Sequence, residues 1–291
     1  MGALAAAGAT GVELVLHDVL PGHQALNELD GACSVAKPSL TFAPVGPAKS
    51  GQFASSARRR RVGYTIAYPP DHAIGSPLPL VVALHGYGND HTNVLTDLSL
   101  QQALAMRVAG RALPPMAMVA ADGGGGYWHA QPGDDPLGML VDELIPMCQA
   151  LGLGVPPHGI GAIGISMGAY GALLLAEKRP DMIPAVAAIS PAIWTTYGQA
   201  SSANRGAFAS AEDFNANDVI HNASALVHSH VRVSSGRSDP FHPGVKALVR
   251  ALPATAVVNI SNGCHTGPFF AAAQPPSLSF LADHLGSPAA T

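Results

Sequence analysis

A serine, an acid and a histidine, the residue types of a nucleophilic acyl-transfer site, each stand at a turn in this chain. Gly164-Ile165-Ser166-Met167-Gly168 lies between an apolar run, Ile160 to Ile165, that reads as a strand and a helical stretch, Ala169 to Lys178. A serine in that strand, tight turn, helix context sits on a strained turn, and small residues two places to either side keep the neighbouring chain clear of it. Gly236-Arg237-Ser238-Asp239-Pro240-Phe241 follows an expected strand, Val227 to Ser234, and puts an acid on a turn closed by proline. Asn262-Gly263-Cys264-His265-Thr266 follows the last expected strand, Ala256 to Ile260. A serine hydroxyl is a poor nucleophile near neutral pH, so His265 has to take its proton during attack and return one to the leaving group, with Asp239 orienting the imidazole. An aspartate or histidine alone in a turn is ordinarily a cap or a solvated group; the combination, each directly after a strand, argues for a site.

Such a site also needs donors for a developing oxyanion. The turn His85-Gly86-Tyr87-Gly88 follows the expected strand Leu78 to Leu84, and its glycines let backbone N–H groups approach closely. The backbone N–H groups of Tyr87 and Met167 are the expected donors, and His85 and Gly86 are expected beside the substrate; a plain strand-to-helix turn is the competing account. Asp122 and Trp128, with His129, Asp134 and Asp135, cluster after the expected strand Met116 to Ala121 and are candidates for the pocket wall. Equally, Asp122 braces the Gly123 to Gly126 loop while Asp134 and Asp135 cap the next helix, with Pro136 at its first position. Trp194 is a further candidate substrate contact. It lies in Pro191 to Val219, a stretch long for a connection, which reads as a lid over the serine, with surface packing as the alternative. Asp142 and Glu143 sit inside a helix and read as a solvated face or a salt bridge, with no opposed acid pair for glycoside chemistry.

From residue 58 onward short apolar runs alternate with helical periodicity, which predicts an α/β fold: a mostly parallel sheet with helices on both faces. Further strands are expected at Arg61 to Tyr68 and Ala185 to Ile189. Helices are expected through Leu100 to Ala109, at Leu137 to Leu151 with a kink at Pro146, and at Leu278 to Leu285. Ligands in such sheets bind at the carboxyl ends of the strands, where the candidate residues fall. Residues 31 to 57, rich in Pro, Gly and Ser, read as a linker or extended arm. The expected division is an N-terminal arm over residues 1–50 and a catalytic domain over 51–291.

A hydrophobic share of 48% and only 12% charged residues describe a globular chain with a large core. A net charge of −4, with Arg58 to Arg61 the sole basic cluster, gives no face for nucleic acid. Cys33, Cys148 and Cys264 are too far apart in sequence for a C-x-x-C site, so neither a metal nor a cofactor is expected. Cys148 reads as a buried apolar residue, and Cys33 and Cys264 are able to pair in an oxidising compartment. Met1 to Leu16 resembles an export leader without its charged start, interrupted by Glu13. The expected location is therefore the cell envelope or exterior, with anchoring through the N-terminus and cytoplasmic residence as alternatives.

Leu84-His85-Gly86, Asp122-Gly123-Gly124 with Tyr127-Trp128, Asp142-Glu143-Leu144, Gly164 to Gly168 and the Asp239 and His265 turns together resemble the putative esterase family of α/β-hydrolases. That family includes esterase D-like S-formylglutathione hydrolases, feruloyl and acetyl-xylan esterases and mycobacterial mycolyltransferases. The resemblance spans residue 50 to the C-terminus, and the order Ser166, Asp239, His265 is the one α/β-hydrolases use. It implies a serine carboxylesterase acting on small-molecule, lipid or saccharide esters through an acyl-enzyme. The alternatives are an acyltransferase to a carbohydrate hydroxyl, disfavoured because the mycolyltransferases carry Asp-Gly where this chain has His85-Gly86, and a non-catalytic surface protein on the same scaffold. His17-Asp18-Val19-Leu20-Pro21-Gly22 resembles, more weakly, the arm of exported actinobacterial esterases.

Overall fold

A computed structural model describes residues 31–286; the leader-like Met1 to Leu16 and the His17 to Gly22 motif lie outside the described residues. In chain order the strands are β1 (Thr41–Phe42), β2 (Ala48–Ser55), β3 (Arg60–Ala67), β4 (Leu80–Leu84), β5 (Met106–Val108), β6 (Arg111–Ala112), β7 (Ala117–Ala121), β8 (Ile160–Ile165), β9 (Ala185–Ile189), β10 (His230–Gly236) and β11 (Val257–Ser261). Eight of them form one sheet in the order β11-β10-β9-β8-β4-β7-β3-β2. The six strands from β11 to β7 in that order are parallel, while β3 pairs antiparallel with β7 and β2 antiparallel with β3.

Every residue of β4, β7, β8 and β9 is buried, as expected of strands covered on both faces. Side chains alternate across the sheet, so Leu80, Val82 and Leu84 join one core and Val81 and Ala83 the other. Helix residues 136–149 and helix Met167–Lys178 close the first core. Helices Leu100–Ala105 and Gly267–Leu285 close the second. No helix among the described residues is long and apolar enough to cross a membrane.

Several elements differ from the sequence expectation for physical reasons. The helix expected through Ala109 stops at Ala105, where Met106 turns extended with ψ 142°. Ala109 and Gly110 then take φ 49° and 78°, the left-handed pair of a two-residue hairpin turn between β5 and β6. Pro146 does not break its helix. The turn before it widens to a π-helix over Met139–Leu144, with Ile145 N–H donating to Leu140 O. The C-terminal helix runs from Gly267 to Leu285 with Pro275 and Pro276 inside it, twice the expected length. Residues 223–228 form a 3₁₀ helix, and β10 begins only at His230. The arm contributes β2, whose eight residues pair with β3 along their length and cross the expected boundary at residue 50.

Helix Met167–Lys178, which carries the serine turn at its start, is buried from Met167 to Glu177. Glu177 is 6% exposed, and among the described residues neither carboxylate oxygen has a hydrogen-bond partner. Burial, with the nearby Asp218 charge, pushes its pKa up to about 9. Its folded pKa lies above the unfolded value, so the protonated form is stabilising below pH about 4.5 and that contribution is lost as pH rises toward about 9. Glu177→Gln is therefore expected to flatten the fall in stability between pH 5 and 9, worth a few kcal/mol and roughly 5–10 °C in Tm at pH 8. Parallel Tm-versus-pH curves for the two proteins would contradict this reading of Glu177.

Candidate active site

Ser166 stands between β8 and helix Met167–Lys178 with φ 58° and ψ −120°, a conformation that only a tightly constrained turn holds. A Cβ on Gly164 would run into the Gly168 carbonyl, and one on Gly168 into the Leu84 carbonyl at the end of β4. The spacing of the motif is thus set by backbone packing. The turn is tied to the next strand by Ser166 N–H donating to Ile189 O at 3.0 Å and Ala192 N–H donating to Ser166 O at 3.1 Å.

The loops after β10 and β11 bring the acid and the histidine to this serine. His265 Nε2 lies 2.8 Å from Ser166 Oγ, and its Nδ1 lies 2.9 Å from Asp239 Oδ2. Asp239 is 3% exposed, and its other oxygen accepts the Phe241 N–H at 2.9 Å. The rings of Phe241 and Phe270 flank the imidazole, with centroids at 5.1 and 5.0 Å. The two loops are joined by Ser238 N–H donating to Gly263 O at 3.0 Å and Arg237 N–H donating to Ser261 O at 2.9 Å. A disulfide links Cys33 to Cys264, the residue before the histidine. Cys148 is buried and free.

A cleft of about 250 Å³ opens over Ser166 and His265, walled by Tyr87, Asn89, Asn93, Leu95, Thr96 and Phe270. Gly86 lines it as well, with Ile165 O and Ser166 Cβ at ordinary contact distance from where a Cβ would stand. Among the described residues the backbone N–H groups of Tyr87 and Met167 have no acceptor, and Met167 opens a helix whose first N–H groups are left free by its geometry.

Other expected contacts sit elsewhere. His85 and Trp128 are fully buried, so neither reaches a substrate. Burial lowers the His85 pKa, and the neutral ring donates Nδ1–H to Gly86 O at 2.8 Å and accepts Gly123 N–H at Nε2, also at 2.8 Å. Trp128 Nε1–H donates to His85 O at 3.2 Å, so the pair ties the β4 turn to the glycine loop. Asp122 braces rather than binds: it accepts Gly63 N–H at 3.0 Å, His91 N–H at 3.0 Å and the His91 ring at 2.6 Å. Burial alone would raise its pKa, but these donors hold it below the ordinary value. Asp90, His91 and Asp122 bring possible ligand atoms within 4.8 Å, yet Asp122 and Asp90 are already engaged by His91, Gly63 and Thr92.

Asp135 caps the helix at Pro136, accepting Gly138 N–H at 2.7 Å, whereas Asp134 pairs with Arg58 at 2.7 Å. Glu143 ties down the chain at Ser56 and Ala57 through their N–H groups. Residues 191–219 contribute nothing to the cleft wall, which corrects the lid expectation. Phe208 and Phe214 are buried with Tyr127 and Tyr170, and His129 Nε2 meets Ala207 O at 2.7 Å, so the segment is packed down. Trp194 faces a separate depression beside Pro240 and Pro243, and its ring packs on Phe241, which in turn packs on His265. Sequence reasoning missed Arg58, 2% exposed, whose guanidinium holds Asp134 and the Asp122 carbonyl. It also missed Asn89 and Asn93, which carry no motif; their position two turns beyond β4 was the available signal.

Eight strands with helices on both faces and a hydrogen-bonded Ser, His, Asp set at their carboxyl ends define the α/β-hydrolase architecture. The solved structures agree on the fold. A ferulic acid esterase matches with a TM-score of 0.68 at 16% identity, covering 82% of this chain and 99% of its own. An S-formylglutathione hydrolase from Agrobacterium tumefaciens gives 0.66 at 17% identity over 87% and 100%. MPT51 (FbpC1) of Mycobacterium tuberculosis gives 0.58 at 19% over 83% and 98%. No curated protein matches the sequence. The family model described as "Putative esterase" matches residues 55–244, and the chain belongs to that family as an ester-hydrolysing enzyme. The matched stretch contains Ser166 and Asp239; His265 lies beyond it and joins them by geometry.

Proposed function

We propose that this chain is a serine carboxylesterase working through an acyl-enzyme on Ser166. The observation that carries the reading is the continuous chain Ser166 Oγ, His265 Nε2, His265 Nδ1, Asp239 Oδ2, with links of 2.8 and 2.9 Å. With Nδ1–H donated to Asp239, Nε2 is left as the acceptor that takes the serine proton as Oγ attacks the ester carbonyl. Asp239 stabilises the imidazolium so formed. The backbone N–H groups of Tyr87 and Met167 receive the oxyanion, each such donor being worth ~3 kcal/mol. The imidazolium then protonates the leaving alkoxide, the alcohol departs, and water repeats the sequence to release the acid.

Cleft size argues for the acyl group. About 250 Å³ is below the usual range for drug-sized ligands, and Asn89, Asn93 and Thr96 give it a polar side, which favours short acyl groups on small or saccharide alcohols. The Cys33–Cys264 disulfide supports export to an oxidising compartment. A series of p-nitrophenyl esters tests the substrate reading. We expect kcat/KM to fall about tenfold or more from butyrate to dodecanoate, with the acyl group passing to water even when a sugar acceptor is added. Turnover confined to long chains, or efficient transfer to the sugar, would replace hydrolysis by acyl transfer as the function.

A further inference from the structure

The segment before β2 meets the site through one covalent link. Cys33 and Cys264 are joined across 231 residues of sequence, and Cys264 immediately precedes His265. Cys264 is 1% exposed, while Cys33 is half-buried. The arm itself is anchored: Val35 and Leu40 pack on the second core, and β1 pairs with β5. A fixed arm makes the cross-link a fixed point for the histidine loop.

Non-covalent ties on the backbone of that loop come from Arg237 N–H at Ser261 O, Ser238 N–H at Gly263 O and Phe270 N–H at Thr266 O, all to neighbouring loops and the following helix. Gly263, held by Ser238 N–H, takes φ 143° with its α-carbon against the Phe269 ring. Past it, Thr266 N–H donates only to Cys264 O, at 2.9 Å, before helix Gly267–Leu285 begins. Asp239, Phe241 and Phe270 hold the imidazole ring and Gly236 packs against the Gly263–Cys264 peptide, while the disulfide adds a covalent tie from residue 264 to the arm. We infer that the Cys33–Cys264 disulfide is a positioning element for His265, so that cutting it leaves the fold in place and slows the chemical step. This rests on the reading of Ser166 and His265 as nucleophile and base.

A dithiol reductant cuts the link in two exchange steps. Its first thiolate attacks Cys33 Sγ, and the electron pair leaves on Cys264 Sγ, which takes up a proton. The second thiolate, its proton released to solvent, closes on the first sulfur and expels Cys33, which is protonated in turn. The protein gains two thiols and the dithiol becomes a cyclic disulfide.

The experiment compares oxidised and dithiothreitol-reduced protein in a Cys148→Ala background, with Cys33→Ser alongside. Three quantities are read: kcat and KM on p-nitrophenyl acetate, the rate of fluorophosphonate inactivation, and the low-field NMR resonance of the His265 Nδ1 proton. We expect reduction to lower kcat and the inactivation rate about tenfold to a hundredfold, as a displaced catalytic group does, with KM within twofold. The low-field resonance should broaden, reoxidation should restore all three, and Cys33→Ser should match the reduced form. Equal kcat and an unchanged resonance in both redox forms would overturn the inference. So would loss of far-UV circular dichroism together with activity, since the link would then hold the whole fold. Oxidised protein that does not react with the probe at all would instead sink the reading of Ser166 itself, and this inference with it.

Discussion

Ser166→Ala is expected to lower ester turnover by about 10⁶-fold and leave the protein folded. The size follows from the wiring of the site. Oγ is both the atom that becomes acylated and the partner of His265 Nε2 at 2.8 Å, so its removal leaves the base nothing to activate except water. What remains is the oxyanion donors and the cleft, which alone account for a small part of the catalysis. The fold should survive because the turn is held by backbone bonds, Ser166 N–H to Ile189 O and Ala192 N–H to Ser166 O, which alanine keeps. Alanine at φ 58° is no more strained than serine. The check is kcat on p-nitrophenyl acetate beside a thermal melt; a folded variant with wild-type turnover would remove Ser166 from the mechanism.

Asp239→Asn should cost about 10⁴-fold in kcat, through a tautomer rather than through loss of a contact. One carboxylate oxygen accepts the Phe241 N–H at 2.9 Å and the other faces His265 Nδ1 at 2.9 Å. An asparagine has a single oxygen, and the backbone N–H of Phe241 requires it. The amide NH₂ is thereby turned toward His265, Nδ1 must accept, and the ring proton moves to Nε2. A ring protonated at Nε2 cannot take the serine proton. Because the Asp239 side chain is wholly buried, replacing its charge by a neutral amide should leave Tm unchanged or raise it. Loss of stability in step with loss of activity would point to a structural role instead.

The parts of this site that could be read in the sequence are those fixed by local geometry. Strands β8 and β9 were legible to the residue because burial on both faces leaves unbroken apolar runs. Ser166 follows directly, in the turn after β8, whereas Asp239 and His265 stand after β10 and β11, whose His230, Arg232 and Asn259 break the apolar run and blur their limits. Strand β2 was hidden by its composition: Lys49, Ser50, Gly51 and Gln52 resemble a linker, and only pairing with β3 makes them a strand. Pro275 and Pro276 concealed half of helix Gly267–Leu285, whose packing on the second core outweighs the lost backbone bonds. His85 and Trp128 carry types common in binding sites, and nothing short of the assembled core reveals that they are interior braces. The Cys33–Cys264 pair is likewise a property of the folded chain, since 231 residues separate its halves.

The most direct test of the central claim is to react the protein with a fluorophosphonate, digest it and locate the adduct by mass spectrometry. One phosphonyl group per chain on Ser166, absent from Ser166→Ala and formed far more slowly in Asp239→Asn, is the predicted result. An unmodified Ser166 in protein that still hydrolyses esters, or an adduct at another residue, would contradict it.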